Sequence, residues 1–116
     1  MPAQINNVIA SRTMTWTRAD GATFPVNVYI GNLVFVPSTD ATLAAYWQAS
    51  VQIVGPGIDG SIRTCSGDDS VQALYHALAN AGMIISSSII ASQLDYSVVP
   101  NFGFPVFSQQ NPPPAN

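Results

Sequence analysis

Residue types used in nucleophilic catalysis gather in one stretch of this chain, between Cys65 and His76. Ser66 and Ser70 offer hydroxyls, Asp68 and Asp69 carboxylates, His76 an imidazole and Cys65 a thiol. These are the parts of an acyl-transfer triad or of a thiol–imidazole pair. Their spacing argues against that use. Asp69 stands just before an apolar run, with Gln72 three residues on, the pattern of an N-cap and capping box. Val71, Leu74, Tyr75, Leu78 and Ala81 recur at the period of one helix face, and Ile85 and Ile89 continue it past Gly82. A helix is therefore predicted to run from this cap to about Ser88, with Gly82 allowing close approach to whatever it packs on. On it Asp69 and His76 share a side but lie about 10 Å apart at 1.5 Å rise per residue, beyond hydrogen-bond reach. Asp69 is occupied as a cap, and His76 projects with Gln72 and Asn80 toward solvent. A lone Cys65 reads as a small buried hydrophobe. No catalytic residue is assigned.

Other chemistries are no better supplied. One His, one Cys and dispersed Asp give no ligand pair at chelating spacing, so no metal is expected. Gly55-Pro56-Gly57-Ile58-Asp59-Gly60 has the glycines of a phosphate loop, but it lacks the Lys, contains Pro and precedes a strand; it reads as a turn. Asp68 and Asp69 repel anions from the helix start. No cofactor is predicted.

The elements that hold this helix are strands. Val8, Ala10, Arg12, Met14, Trp16 and Arg18 alternate with Ser11, Thr13, Thr15 and Thr17, a period of two rich in Thr. Asp20-Gly21 supplies a hairpin turn. Phe24, Val26, Val28 and Ile30 alternate through a second strand, with Pro25 at its start or on an unpaired edge. Gly31-Asn32 marks a bulge or bend before the chain continues extended to Val36. Trp47, Ala49, Val51 and Ile53 make a third strand, Ser61 to Cys65 a short fourth, and Leu94, Tyr96 and Val98 a last one. Trp16 and Trp47 fall in core-facing registers. Phe102, Phe104 and Phe107 are expected to fold back over an edge of the sheet.

The order β-β-β-β-α-β, with hairpin-length links, predicts an α+β fold: an antiparallel meander of four to five strands with one long helix packed on one face. Residues 1–107 form the single domain and 108–116, with Pro112-Pro113-Pro114, a polyproline tail. The face left open by the helix carries Thr13, Thr15, Thr17, Asn27, Tyr29, Gln48, Ser50 and Gln52, a polar and nearly uncharged surface suited to binding a partner.

Composition narrows the partners. The chain has 116 residues, enough for one core, and 47% of them are hydrophobic. Only 8% are charged, against roughly 25% in an average domain. With three Arg, no Lys and a net charge of −3, nothing clusters to neutralise phosphates or an anionic lipid surface, so neither nucleic acid nor membrane is expected. The most apolar stretch, Met83 to Ala91, is far short of the roughly 20 residues of a spanning helix, and the N-terminus lacks the charged and apolar regions of a signal peptide. A cytoplasmic protein is the expectation.

The string Asp20-Gly21 … Phe24-Pro25-Val26-Asn27-Val28-Tyr29-Ile30-Gly31, Trp47 on a strand, Gly67-Asp68-Asp69-Ser70-Val71-Gln72-Ala73-Leu74 … Ala77-Leu78, and the closing Gly103-Phe104-Pro105 together resemble a family of small bacterial proteins classed only as a domain of unknown function. The resemblance spans roughly Val8 to Val106. It implies a shared fold and a bacterial source, and brings neither activity nor catalytic residues.

Three functions are compatible with these features. The first is a non-enzymatic protein-binding domain of the immunity or accessory type, which neutralises or caps a partner through the polar face. The second is a self-assembling structural component of a phage or secretion particle, since low charge removes the repulsion that keeps proteins apart. The third is a small hydrolase or ligand-binding enzyme using Cys65 or His76.

Overall fold

The computed structural model describes residues 5–88 and 100–105. Strands β1 (Val8–Thr17), β2 (Thr23–Val36) and β3 (Tyr46–Gly55) follow one another as antiparallel hairpins, and β4 (Ile58–Asp59) and β5 (Arg63–Gly67) both pair with the far side of β3. Helix α1 (Ser70–Ser86) comes next, and a 3₁₀ turn (Pro100–Gly103) packs against it. The fold is α+β, with the helix on one face of the antiparallel sheet, as the strand order implies. The last expected strand, at 94–98, the tail from 108, and Phe107 lie outside the described residues.

Local chemistry sets the hairpins. Gly21 N–H donates to the Arg18 carbonyl at 2.9 Å, and Arg18 N–H to the Ala22 carbonyl at 2.8 Å, so a tight turn is followed by Gly21 at φ 89°. Asp20 locks it by accepting from Ala22 N–H and from the Arg18 guanidinium. Pro25 lies opposite Thr15 where β3 has already turned away, so its missing N–H costs the sheet nothing. The bend at Gly31-Asn32 is a β-bulge: pairing with β3 slips between Gly31 and Val34, and Asn32 takes φ 52°, which Asn tolerates. The slip reverses which side chains face the helix, sending Leu33 to the core and Val34 to the opposite face.

β4 and β5 are two halves of one edge strand. Their pairing with β3 differs by one residue in register, and the extra residue lies in the Gly60 to Ile62 connection. The fourth strand thus begins earlier than expected, inside the stretch read as a turn, and runs on to Gly67.

Between sheet and helix the core holds Met14, Val26, Val28, Ile30, Ala49, Val51, Ile53 and Cys65 against Ala73, Ala77, Ala81 and Ile85. The helix runs through a buried Gly82, with Ser87 as its C-cap. Its buried stripe is rotated from the expected one. Val71 is 75% exposed and Tyr75 is also exposed, while Ala73 and Ala77 are fully buried, flanked by Leu74 and Leu78. Close approach is the reason. A Cβ placed on Gly67 would lie 2.4 Å from the Ala73 backbone nitrogen, so the helix start rests directly on the end of β5 with alanines at the contact. Trp16 and Trp47 pack at the margin of the core, Trp16 on Phe24 and Trp47 on Phe35, with ring centroids 5.4 Å apart in each pair.

Candidate functional site

Asp69, His76 and Cys65, grouped around the helix start, are engaged in holding the fold. Asp69 accepts from Gln72 N–H at 2.7 Å, the expected cap. The Gln72 amide oxygen accepts in turn from Asp68 N–H at 2.7 Å, one residue before the cap itself. His76 does not simply face solvent. Its Nδ1 lies 2.7 Å from the Ser66 carbonyl, so Nδ1 carries the proton and donates to β5, while the ring edges against Tyr75. Cys65 is buried beneath the helix, where desolvation pushes its thiol pKa up and Asn80 Nδ2 reaches its sulfur at 3.4 Å. A thiol so placed is a poor source of thiolate. Among the described residues no three of His, Cys, Asp or Glu gather as metal ligands, and no helix is long and apolar enough to cross a membrane.

The opposite sheet face is where the accessible polar side chains collect. Thr13, Thr15 and Thr17 on β1 are exposed, and Asn27, Tyr29 and Gln48 on β2 and β3 are half-buried. They are aligned by the register: Thr13 pairs with Asn27 and donates its hydroxyl to Asn27 Oδ1 at 2.7 Å, Thr17 pairs with Thr23, and Gln48 pairs with Val34. Exposed Val34 and Val54 stand among them, Val34 because the bulge brings it to this side and Val54 opposite Asn27. The surface is a Thr- and amide-bearing sheet with apolar Val34 and Val54, and its one carboxylate, Asp59 opposite Val54, is bonded to Ser61 at the β4 margin.

Ser50 and Gln52, expected on this surface, are closed off at 4% and 1% exposure. The cover is the N-terminal strap 5–7. Ile5 N–H donates to Gln52 Oε1 at 3.0 Å, Gln52 Nε2 donates to the Gly60 carbonyl at 2.9 Å, and Asn32 N–H donates to the Asn7 carbonyl at 3.1 Å. Gly31, opposite Ser50, makes the crossing possible, because a Cβ there would lie 2.7 Å from the Asn7 carbonyl oxygen. Gln52 is thus a fold residue, and of the eight side chains expected on this face only Thr13, Thr15, Thr17, Asn27, Tyr29 and Gln48 remain accessible.

On the helix side, Phe102 and Phe104 do fold back over the sheet and join the core. Arg12 fixes them, donating from Nη1 to the Phe102 carbonyl at 2.7 Å and stacking 4.5 Å above the Phe104 ring. The hollow they leave is about 130 Å³ and is lined by Ala10, Arg12, Val28, Ile30, Leu78 and Phe104.

A family model described as a domain of unknown function, DUF6968, matches residues 10–106, and the chain belongs to that family. No curated protein and no solved structure matches it.

Proposed function

We propose that this member of a family with no assigned activity is a non-enzymatic protein-binding domain. In this reading it is an immunity-type or accessory protein of a bacterial cytoplasm that caps its partner with the open sheet face. One observation carries the proposal: the face opposite the helix presents exposed Thr13, Thr15 and Thr17 and half-buried Asn27, Tyr29 and Gln48, with no charge among them. Hydroxyls and amides on a pre-formed sheet can bond a partner without the desolvation cost of ions, and Val34, Val54 and the Tyr29 ring add apolar contact. The engagement of Asp69, His76 and Cys65 in cap, strand edge and core favours this over a hydrolase reading.

Gentle isolation of the tagged chain from the cells that make it tests the proposal. A stoichiometric second protein is expected, lost when Tyr29 and Gln48 are both replaced by Ala. Recovery of the chain with no second protein contradicts it.

A further inference from the structure

The two edges of the sheet are finished differently. Arg18 and Ala22 form a hydrogen-bonded pair, and Thr15 lies opposite Pro25, which has no N–H to give. Alternation along an antiparallel ladder then turns the backbone groups of Ala10, Arg12, Met14 and Trp16 toward β2, and those of Ser11, Thr13, Thr15 and Thr17 outward. Among the described residues these outward groups meet no partner. On β5, at the other edge, the same alternation leaves only Thr64 and Ser66 facing out, and the Ser66 carbonyl is taken by His76. One edge is short and capped. The other is a ten-residue strand with neither Lys nor Pro, and its bulge lies at the Val8/Ala10 end, clear of Ser11 to Thr17. From Ser11 to Thr17 the strand has no Lys, no Pro and no bulge, and its one charge in that span, Arg12, is spent on the Phe102 carbonyl and the Phe104 ring, so among the described residues little blocks pairing with another strand.

We propose that this edge pairs with the same edge of a second copy, antiparallel about a two-fold axis at Met14, joining two sheets into one. Met14 is the midpoint of the clean ladder from Ser11 to Thr17. Centred on it, Thr13 of one protomer faces Thr15 of its partner and Ser11 faces Thr17, hydroxyl pairs that favour strand association. The same register sets Arg12 opposite Trp16 and Arg18 opposite Ala10, so no like charges meet. Neighbouring registers are worse. An axis at Arg12 puts Arg12 against itself, one at Thr15 puts Arg12 against Arg18, and one at Thr13 sends Thr17 against Ile9 inside the bulge. A second copy is favoured over a foreign strand because this complementarity is internal to the strand, and a net charge of −3 opposes self-approach only weakly.

Sedimentation of the full chain over a concentration series, with paired cysteine variants, tests this. The dimer fraction is expected to rise with concentration. A mixture of Thr13→Cys and Thr15→Cys chains should cross-link at least tenfold faster than either variant alone, because facing residues lie about 5.5 Å apart between Cα atoms, within disulfide range. Thr15→Pro removes an outward N–H while leaving every bond to β2, and should weaken dimerisation at least tenfold. Thr13→Lys, which leaves the backbone untouched, should weaken it as well. A monomer at all concentrations, a dimer indifferent to both Thr15→Pro and Thr13→Lys, cross-linking with no preference for the mixture, or uptake of a foreign strand by a monomer would each overturn the proposal.

Discussion

Gln52 is a polar side chain shut away from solvent with both ends of its amide in use, one on the Ile5 N–H of the strap and one on the Gly60 carbonyl. It ties the N-terminal segment and the interrupted edge strand to the middle of β3. Gln52→Leu keeps the volume but leaves a buried donor and a buried acceptor unpaired, and should cost about 1–3 kcal/mol in urea unfolding. A loss near zero would mean that the strap is not held by this amide. Alternation along β3 places Gln52 on the open face correctly but does not say that a remote segment lies over it. The only hint in the sequence is Gly31, whose missing side chain reads equally well as a bulge. His76 is similar. Its helical position is legible, while its bond to Ser66 depends on how closely the helix lies along β5.

Among the elements, the junction of β5 and α1 is the tightest. Gly67→Ala would drive a methyl into the Ala73 backbone and is expected to destabilise the protein by about 1–3 kcal/mol, read as a lower Tm; an unchanged Tm would show that the helix can lift off the strand. This closeness also explains why Leu74, Leu78, Ala81 and Ile85 of the expected stripe meet the core while Val71 and Tyr75 do not. Val71 and Tyr75 are the larger apolar residues at helical spacing, yet a helix lying this close buries its smallest side chains, Ala73 and Ala77. Strand positions were legible because alternation is strict on β1 and β3, and the cap because Asp69 and Gln72 need only local geometry.

The turns carry an acid sensitivity. Asp20 is held below the usual carboxyl range by the Arg18 guanidinium, Asp40 by the Thr42 hydroxyl and N–H, and Asp59 by Ser61 N–H and hydroxyl. A carboxyl whose folded pKa is lowered contributes stability above its unfolded value of 3.8 and loses it as pH falls through the folded value. Urea midpoints should therefore hold steady down to about pH 4 and drop below it. Replacing Asp20, Asp40 and Asp59 together by Asn should shrink that drop; an equal drop in the triple variant would place the acid sensitivity elsewhere.

For the whole molecule, the helix roofs one face of the sheet, and the opposite face is the one we propose as the binding surface. The helix has exposed apolar residues of its own, Val71, Tyr75 and Met83, and they form the competing surface. Comparing the two faces in one co-isolation series separates them, with the bound second protein quantified for wild type, for Tyr29→Ala with Gln48→Ala, and for Val71→Ser with Tyr75→Ser, each at matched Tm. The sheet variant should lose the partner at least tenfold and the helix variant should retain it. Retention by the sheet variant, with loss on the helix variant, would contradict the assignment of the open sheet face as the working surface.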